Sequence, residues 1–337
     1  ISPNSSTILR VTIALKVRGE IMALLGKGNY EYLVVENWAH LPETYALKET
    51  AGVATDANDN VYVFNRGDHP MMVFNKEGEF IKSWGEGVFP RAHGITMSPD
   101  GNVFCTDDGD HTVRKCTLDG DILFTLGISG TPSEFMSGNP FNRCTHVAFD
   151  PKTADFYVSD GYGNARIHKY SADGELMFSW GEPGNDPGQF NIAHNVCTDK
   201  EGWVYVADRE NHRVQIFDSN GKFETQWVNM ARPCGLYIDS ENDLVYIGEL
   251  GSAIGPNHDA LNLGPRVSIY KTNGELIERL GNKPEGEAPG QFIAPHGICV
   301  DSERSIYVGE VSWTHTGSHL NPPREIRSLQ KLVINKS

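Results

Sequence analysis

Three histidines return in one local setting. The stretches GVFPRAHGI (87–95), GQFNIAHNV (188–196) and GQFIAPHGI (290–298) each carry Gly-x-Phe, a short spacer and then a His, at His93, His194 and His296. The intervals are 101 and 102 residues. Three imidazoles on one point make the ligand set of a catalytic zinc site, which keeps a fourth position for water or substrate. A single such His is more often a hydrogen-bonding residue than a ligand, so it is the recurrence that points to a metal. Residues so far apart in sequence meet only if the fold comes back to the same place.

A repeat about half that long supplies such a fold. Six segments align on an apolar run: AGVATD (51–56), HGITMS (93–98), THVAFD (145–150), HNVCTD (194–199), CGLYID (234–239) and HGICVD (296–301). Each is followed by a turn and a second strand pattern such as NVYVFNR or WVYVADR. In five copies a third strand and a Gly-containing turn lead to a fourth strand such as FIKSWG or LMFSWG. Short alternating strands with Asp-Gly and Asn-Gly turns read as antiparallel hairpins. Six four-stranded units predict an all-β, six-bladed β-propeller. Its closing strand is either REIRSLQKLV near the C-terminus or YEYLVVENW near the N-terminus. The first residues of the six segments are Ala51, His93, Thr145, His194, Cys234 and His296. His thus occupies alternate blades, about 120° apart around the axis of a six-fold ring.

The second strands end in charged or phenolic residues near the same mouth: FNRGDH (64–69), SDGYGNARI (159–167) and ADRENHRVQ (207–215). Arg66 and Arg209 stand at equivalent places and Tyr162 one residue further on. Read alone, either Arg is as well explained by a loop salt bridge, with Asp160 or Asp208 as partner.

The motifs RGDH, SDGY-N-RI, PGQF, ADREN-R-Q and PHG together resemble the peptidyl-α-hydroxyglycine α-amidating lyase family, over about residues 50 to 312. The resemblance implies a propeller of NHL-type repeats and a zinc ion on His93, His194 and His296. It further implies a catalytic Tyr162 and two active-site arginines, Arg66 and Arg209. The family reaction splits a carbinolamide, R–CO–NH–CH(OH)–COO⁻, into an amide and glyoxylate. A phenol acts as the base only with positive charge beside its oxygen, which Arg66 and the metal are expected to supply. Arg209 is expected to grip the substrate carboxylate with two prongs. The family's calcium, held by two backbone carbonyls and an Asp, maps onto Val53, Ile95 and Gly297. The missing carboxylate leaves carbonyls and water to hold Ca²⁺. Ala294 and Gly163 also depart from the family pattern, in the pocket wall and at a disulfide position. An insert at 250–265 either shapes the substrate entrance or is a surface loop.

The chain has 337 residues, 35 Gly, 18 Pro and a formal net charge of −15. Such acidity argues against nucleic acid and anionic membrane as partners, and no apolar run is long enough to span a bilayer. The six Cys form no C-x-x-C pair, which favours a reducing, cytoplasmic setting. Residues 1–30 read as an N-terminal extension, with Met22 as a candidate start, and 31–337 as one propeller domain. The expected partner is a small-molecule or peptide substrate bearing a carboxylate, bound by a monomer. Two other classes share the architecture. One is a metal-dependent hydrolase of lactonase or esterase type, which characteristically uses axial calcium with acidic ligands. The other is a non-catalytic NHL interaction scaffold.

Overall fold

The computed structural model describes residues 16–17, 20–21, 23–257, 260, 262–281 and 284–336. Most of the expected N-terminal extension, Met22 included, lies outside the described residues. Six antiparallel sheets are arranged as a six-bladed propeller. The innermost strands, in blade order, are Thr50–Thr55, Ala92–Met97, Cys144–Phe149, Ala193–Thr198, Pro233–Asp239 and Pro295–Val300. In blades one to five the remaining strands follow in simple up-and-down order.

Blade six uses both candidate closing segments. Leu329–Ile334 is its third strand, and Tyr32–Val35 pairs with it as the fourth. Leu24–Leu25, inside the stretch read as an extension, adds a fifth. Chain ends joined in one sheet close the ring and leave no blade with a bare face.

Burial explains the strand compositions. The second strands are buried along their whole length, as in Val61–Asn65 and Val204–Asp208. Each is flanked by a neighbouring blade on both faces. The outer strand Ile122–Leu126 is half exposed. The apolar clusters lie between consecutive blades. Phe64, Met71 and Trp84 of blade one meet Val103, Cys105 and Cys116 of blade two. Val53, Val61 and Phe74 of blade one meet Cys299 and Tyr307 of blade six. All six Cys are free thiols. No helix among the described residues is long and apolar enough to cross a membrane.

Leu332 is fully buried and shares a cluster with Tyr32 and Val34 across the closure. Truncating a buried Leu removes apolar burial and leaves a cavity. Leu332→Ala is therefore expected to lower unfolding free energy by about 2–4 kcal/mol, read as a lower midpoint in urea. An unchanged midpoint would mean that the joined ends do not hold the ring.

Candidate functional site

The hub begins with a backbone irregularity. Every inner strand slips by one residue against its partner at the same place. The bulge falls at Ala51, Thr145, His194, Cys234 and His296, and at His93–Gly94 in blade two. A bulged residue leaves the ladder and its side chain is re-aimed. Here that frees three imidazoles to face the axis and three carbonyls to face the imidazoles.

The alternation then locks the rings. His93 Nδ1 lies 2.8 Å from the Thr145 carbonyl oxygen, His194 Nδ1 2.9 Å from that of Cys234, and His296 Nδ1 2.6 Å from that of Ala51. Each acceptor is the bulge residue of the next blade. A carbonyl only accepts, so each ring donates from Nδ1 and presents the Nε2 lone pair for a metal. The ligand atoms all lie within 4.8 Å of one another and all three rings are buried. Burial, first of all, holds each imidazole well below the ordinary His range. The neighbouring imidazoles reinforce this at His93, and Arg66 does so at His296. Three neutral, oriented nitrogens suit zinc.

The axial space beyond the triad does not suit calcium. It is a void of about 10 Å³ lined by Val53, Ile95, His146, Asn195 and Gly297 among others. No carboxylate lines it, whereas calcium takes six to eight oxygen ligands. The His146 ring borders it instead, with Nδ1 3.1 Å from the Val196 carbonyl, and burial pulls its pKa down to about 4. A Cβ on Gly297 would lie 2.8 Å from the Ala51 oxygen, so a side chain there meets the neighbouring backbone.

The expected catalytic residues stand together on the other side of the triad. The Tyr162 hydroxyl is 3.1 Å from His194 Nε2 and 3.4 Å from His93 Nε2. Arg209 Nη1 donates to that hydroxyl at 3.1 Å, and its Nε donates to Glu210 at 2.8 Å. Burial alone would lower the Arg209 pKa; Tyr162 leads the groups that hold it above its ordinary value. Arg66 donates to the Ala92 carbonyl and to Glu49, while its Nη2 is buried without a hydrogen-bond partner. Arg209 attends the phenol, and Arg66 has the hydrogen-bonding capacity left over.

Sequence reasoning missed three further arginines. Arg91, Arg143 and Arg232 each stand two residues before a bulge residue, in blades two, three and five. The Arg143 guanidinium lies 4.3 Å from the Tyr162 ring centre. Arg66, Arg91, Arg209 and Arg232 line a cavity of about 420 Å³ with Tyr162, His296 and His315. Leu250, Ala253 and Val311 form its apolar wall. The insert therefore contributes to this mouth through Leu250 and Ala253.

Two outcomes are expected. Gly94→Ala keeps every ligand but places a Cβ 2.4 Å from the Thr145 oxygen that holds His93. Zinc affinity, measured by chelator competition, should fall about 10–100-fold. The metal-free protein should lose stability as pH falls below about 6.5, because unfolding then releases buried neutral imidazoles that take up protons. The slope approaches about 1.4 kcal/mol per pH unit for each ring. A flat melting temperature from about pH 7 to pH 5 would contradict neutral burial.

Residues 190–217 match the NHL repeat family model. The chain is 33% identical over 327 residues to peptidyl-glycine alpha-amidating monooxygenase B of Xenopus laevis, covering 85% of this chain and 35% of that one. It thus spans about a third of that relative's length. It is 30% identical to a probable peptidyl-alpha-hydroxyglycine alpha-amidating lyase of Caenorhabditis elegans, covering 79% of this chain and 80% of that one. A gluconolactonase structure from Xanthomonas campestris superposes with a TM-score of 0.59 at 10% identity, over 90% of both chains. At that identity the likeness is one of fold. The match to the C. elegans protein over 80% of its length, with the propeller and the oriented triad, establishes that the chain belongs to the peptidyl-α-hydroxyglycine α-amidating lyase family.

Proposed function

We propose that the protein is a zinc-dependent carbon–nitrogen lyase that splits an N-acyl-α-hydroxyglycine into an amide and glyoxylate. The observation that carries this reading is the placing of the Tyr162 hydroxyl, 3.1 and 3.4 Å from two imidazole Nε2 atoms and 3.1 Å from Arg209 Nη1. His93, His194 and His296 would hold the ion, which when bound supplies Lewis-acid polarisation of the substrate hydroxyl.

The residues account for the rest. As phenolate, Tyr162 is stabilised by the Arg209 guanidinium at its oxygen and by Arg143 over its ring. It takes the hydroxyl proton, the O–H pair becomes the second C–O bond, and the C–N pair leaves with nitrogen. The same proton passes to that nitrogen, so Tyr162 ends as it began. Arg66, with Nη2 unsatisfied, takes the carboxylate. The hydrolase alternative is disfavoured because no Asp or Glu joins the triad in the metal-ligand group of the described residues. A non-catalytic scaffold has no use for a buried, oriented triad.

The test is glyoxylate release from α-hydroxyhippurate by zinc-loaded protein. Tyr162→Phe should keep zinc and fold while lowering kcat by at least about 100-fold. Arg66→Lys should chiefly raise KM, whereas Arg209→Lys should chiefly lower kcat. Equal turnover by wild type and Tyr162→Phe would remove Tyr162 from the mechanism. Absence of glyoxylate from wild type would overturn the reading.

A further inference from the structure

The mouth holds more positive charge than a single carboxylate balances. On one side Arg66, Arg91 and Arg143 surround Asp108, which is fully buried. Two more carboxylates stand there: Glu49, shared between Arg66 and the Thr314 hydroxyl, and buried Asp107, which accepts from the Arg91 backbone N–H. On the other side, among the described residues, Glu210 serves both Arg209 and Arg232. Among the described residues five arginines thus meet four carboxylates there, and a bound divalent ion would add to that surplus. Arg66 Nη2 and Asp108 Oδ1 are both buried without hydrogen-bond partners, 3.7 Å apart. On a chain of net charge −15 such a concentration of guanidinium is not a general property of the surface.

The cations are also graded in depth. The side chains of Arg66 and Arg209 are 10% and 11% exposed, those of Arg91 and Arg143 34% and 40%. The inner pair serves the reacting carboxylate and the phenol. The outer pair is fixed by its shared bonds to Asp108, and Arg91 lines the cavity that an acyl group would enter. Leu250, Ala253 and Val311 give that group an apolar wall.

We infer that the Arg91–Asp108–Arg143 cluster is a second anion subsite, which selects substrates whose acyl group carries its own carboxylate. Such acyl groups are those of a dicarboxylic acid or of an acidic residue preceding the hydroxyglycine. The placing of the acyl group rests on the lyase reading above; the charge surplus does not.

Binding of unreactive analogues separates the two. N-Succinylglycine and N-butyrylglycine differ by a carboxylate in place of a methyl group. Calorimetric titration into the zinc-loaded protein should show the succinyl compound binding at least about tenfold tighter, with a margin that shrinks as salt is raised. Arg91→Gln should cut that margin severalfold, and Arg91→Lys should restore part of it. Equal affinity for the two analogues would overturn the inference, as would a margin that Arg91→Gln leaves intact. These outcomes are read without turnover, so failure of glyoxylate release would count against the lyase reading and not against the subsite.

Discussion

The hydrogen bond from a histidine Nδ1 to the bulge carbonyl of the next blade is the constraint on which the centre depends. It occurs three times, from His93 to Thr145, His194 to Cys234 and His296 to Ala51. One repeat position therefore has two duties: in even blades it offers a side chain, in odd blades a carbonyl. Neither duty is available to a residue in a regular ladder, because its carbonyl is engaged and its side chain stands across the sheet. Tautomer, ring orientation and spacing all follow from closing a ring of six bulged strands. Close contact between blades is part of the same constraint, since the glycines after the bulges at His93 and His296 leave no room for a Cβ.

The mouth is a second consequence of the same geometry. The residues two before each bulge and the residues leaving each second strand form two rings. Backbone bonds join them within a blade, as from Arg66 to Glu49, Asp108 to Arg91, Arg209 to Ile192 and Leu250 to Arg232. Side chains on these rings surround the open side of the triad, which is why four arginines and an apolar wall share one cavity. Some of this backbone is strained. Arg143, Ile192 and Arg232 have φ of 66°, 67° and 54°, and a β-branched residue such as Ile192 is rarely found there.

The sequence was legible where a period carried the signal. Six aligned segments with His in every second one were enough for the propeller and for His93, His194 and His296. Arg66, Tyr162 and Arg209 were reached partly through family motifs, because a charged residue after a strand has many ordinary explanations. The bulges were not legible: a slip of one residue leaves no mark on an apolar run. Arg91, Arg143 and Arg232 could have been found by reading the alignment two residues earlier, but Glu49, Ile192 and Ala294 interrupt that column. That Arg209 reaches the phenol while Arg66 reaches Ala92 and Glu49 depends on side-chain packing, and spacing does not encode that. Closure stayed open because the two strands that share it lie about three hundred residues apart, and both proved necessary.

X-ray absorption at the zinc edge of the loaded protein tests the centre most directly. The predicted spectrum shows three imidazole nitrogens at about 2.0–2.1 Å with one further light atom and no sulfur. A shell containing the Cys234 sulfur at about 2.3 Å, or fewer than three imidazoles, would contradict a hub built on His93, His194 and His296.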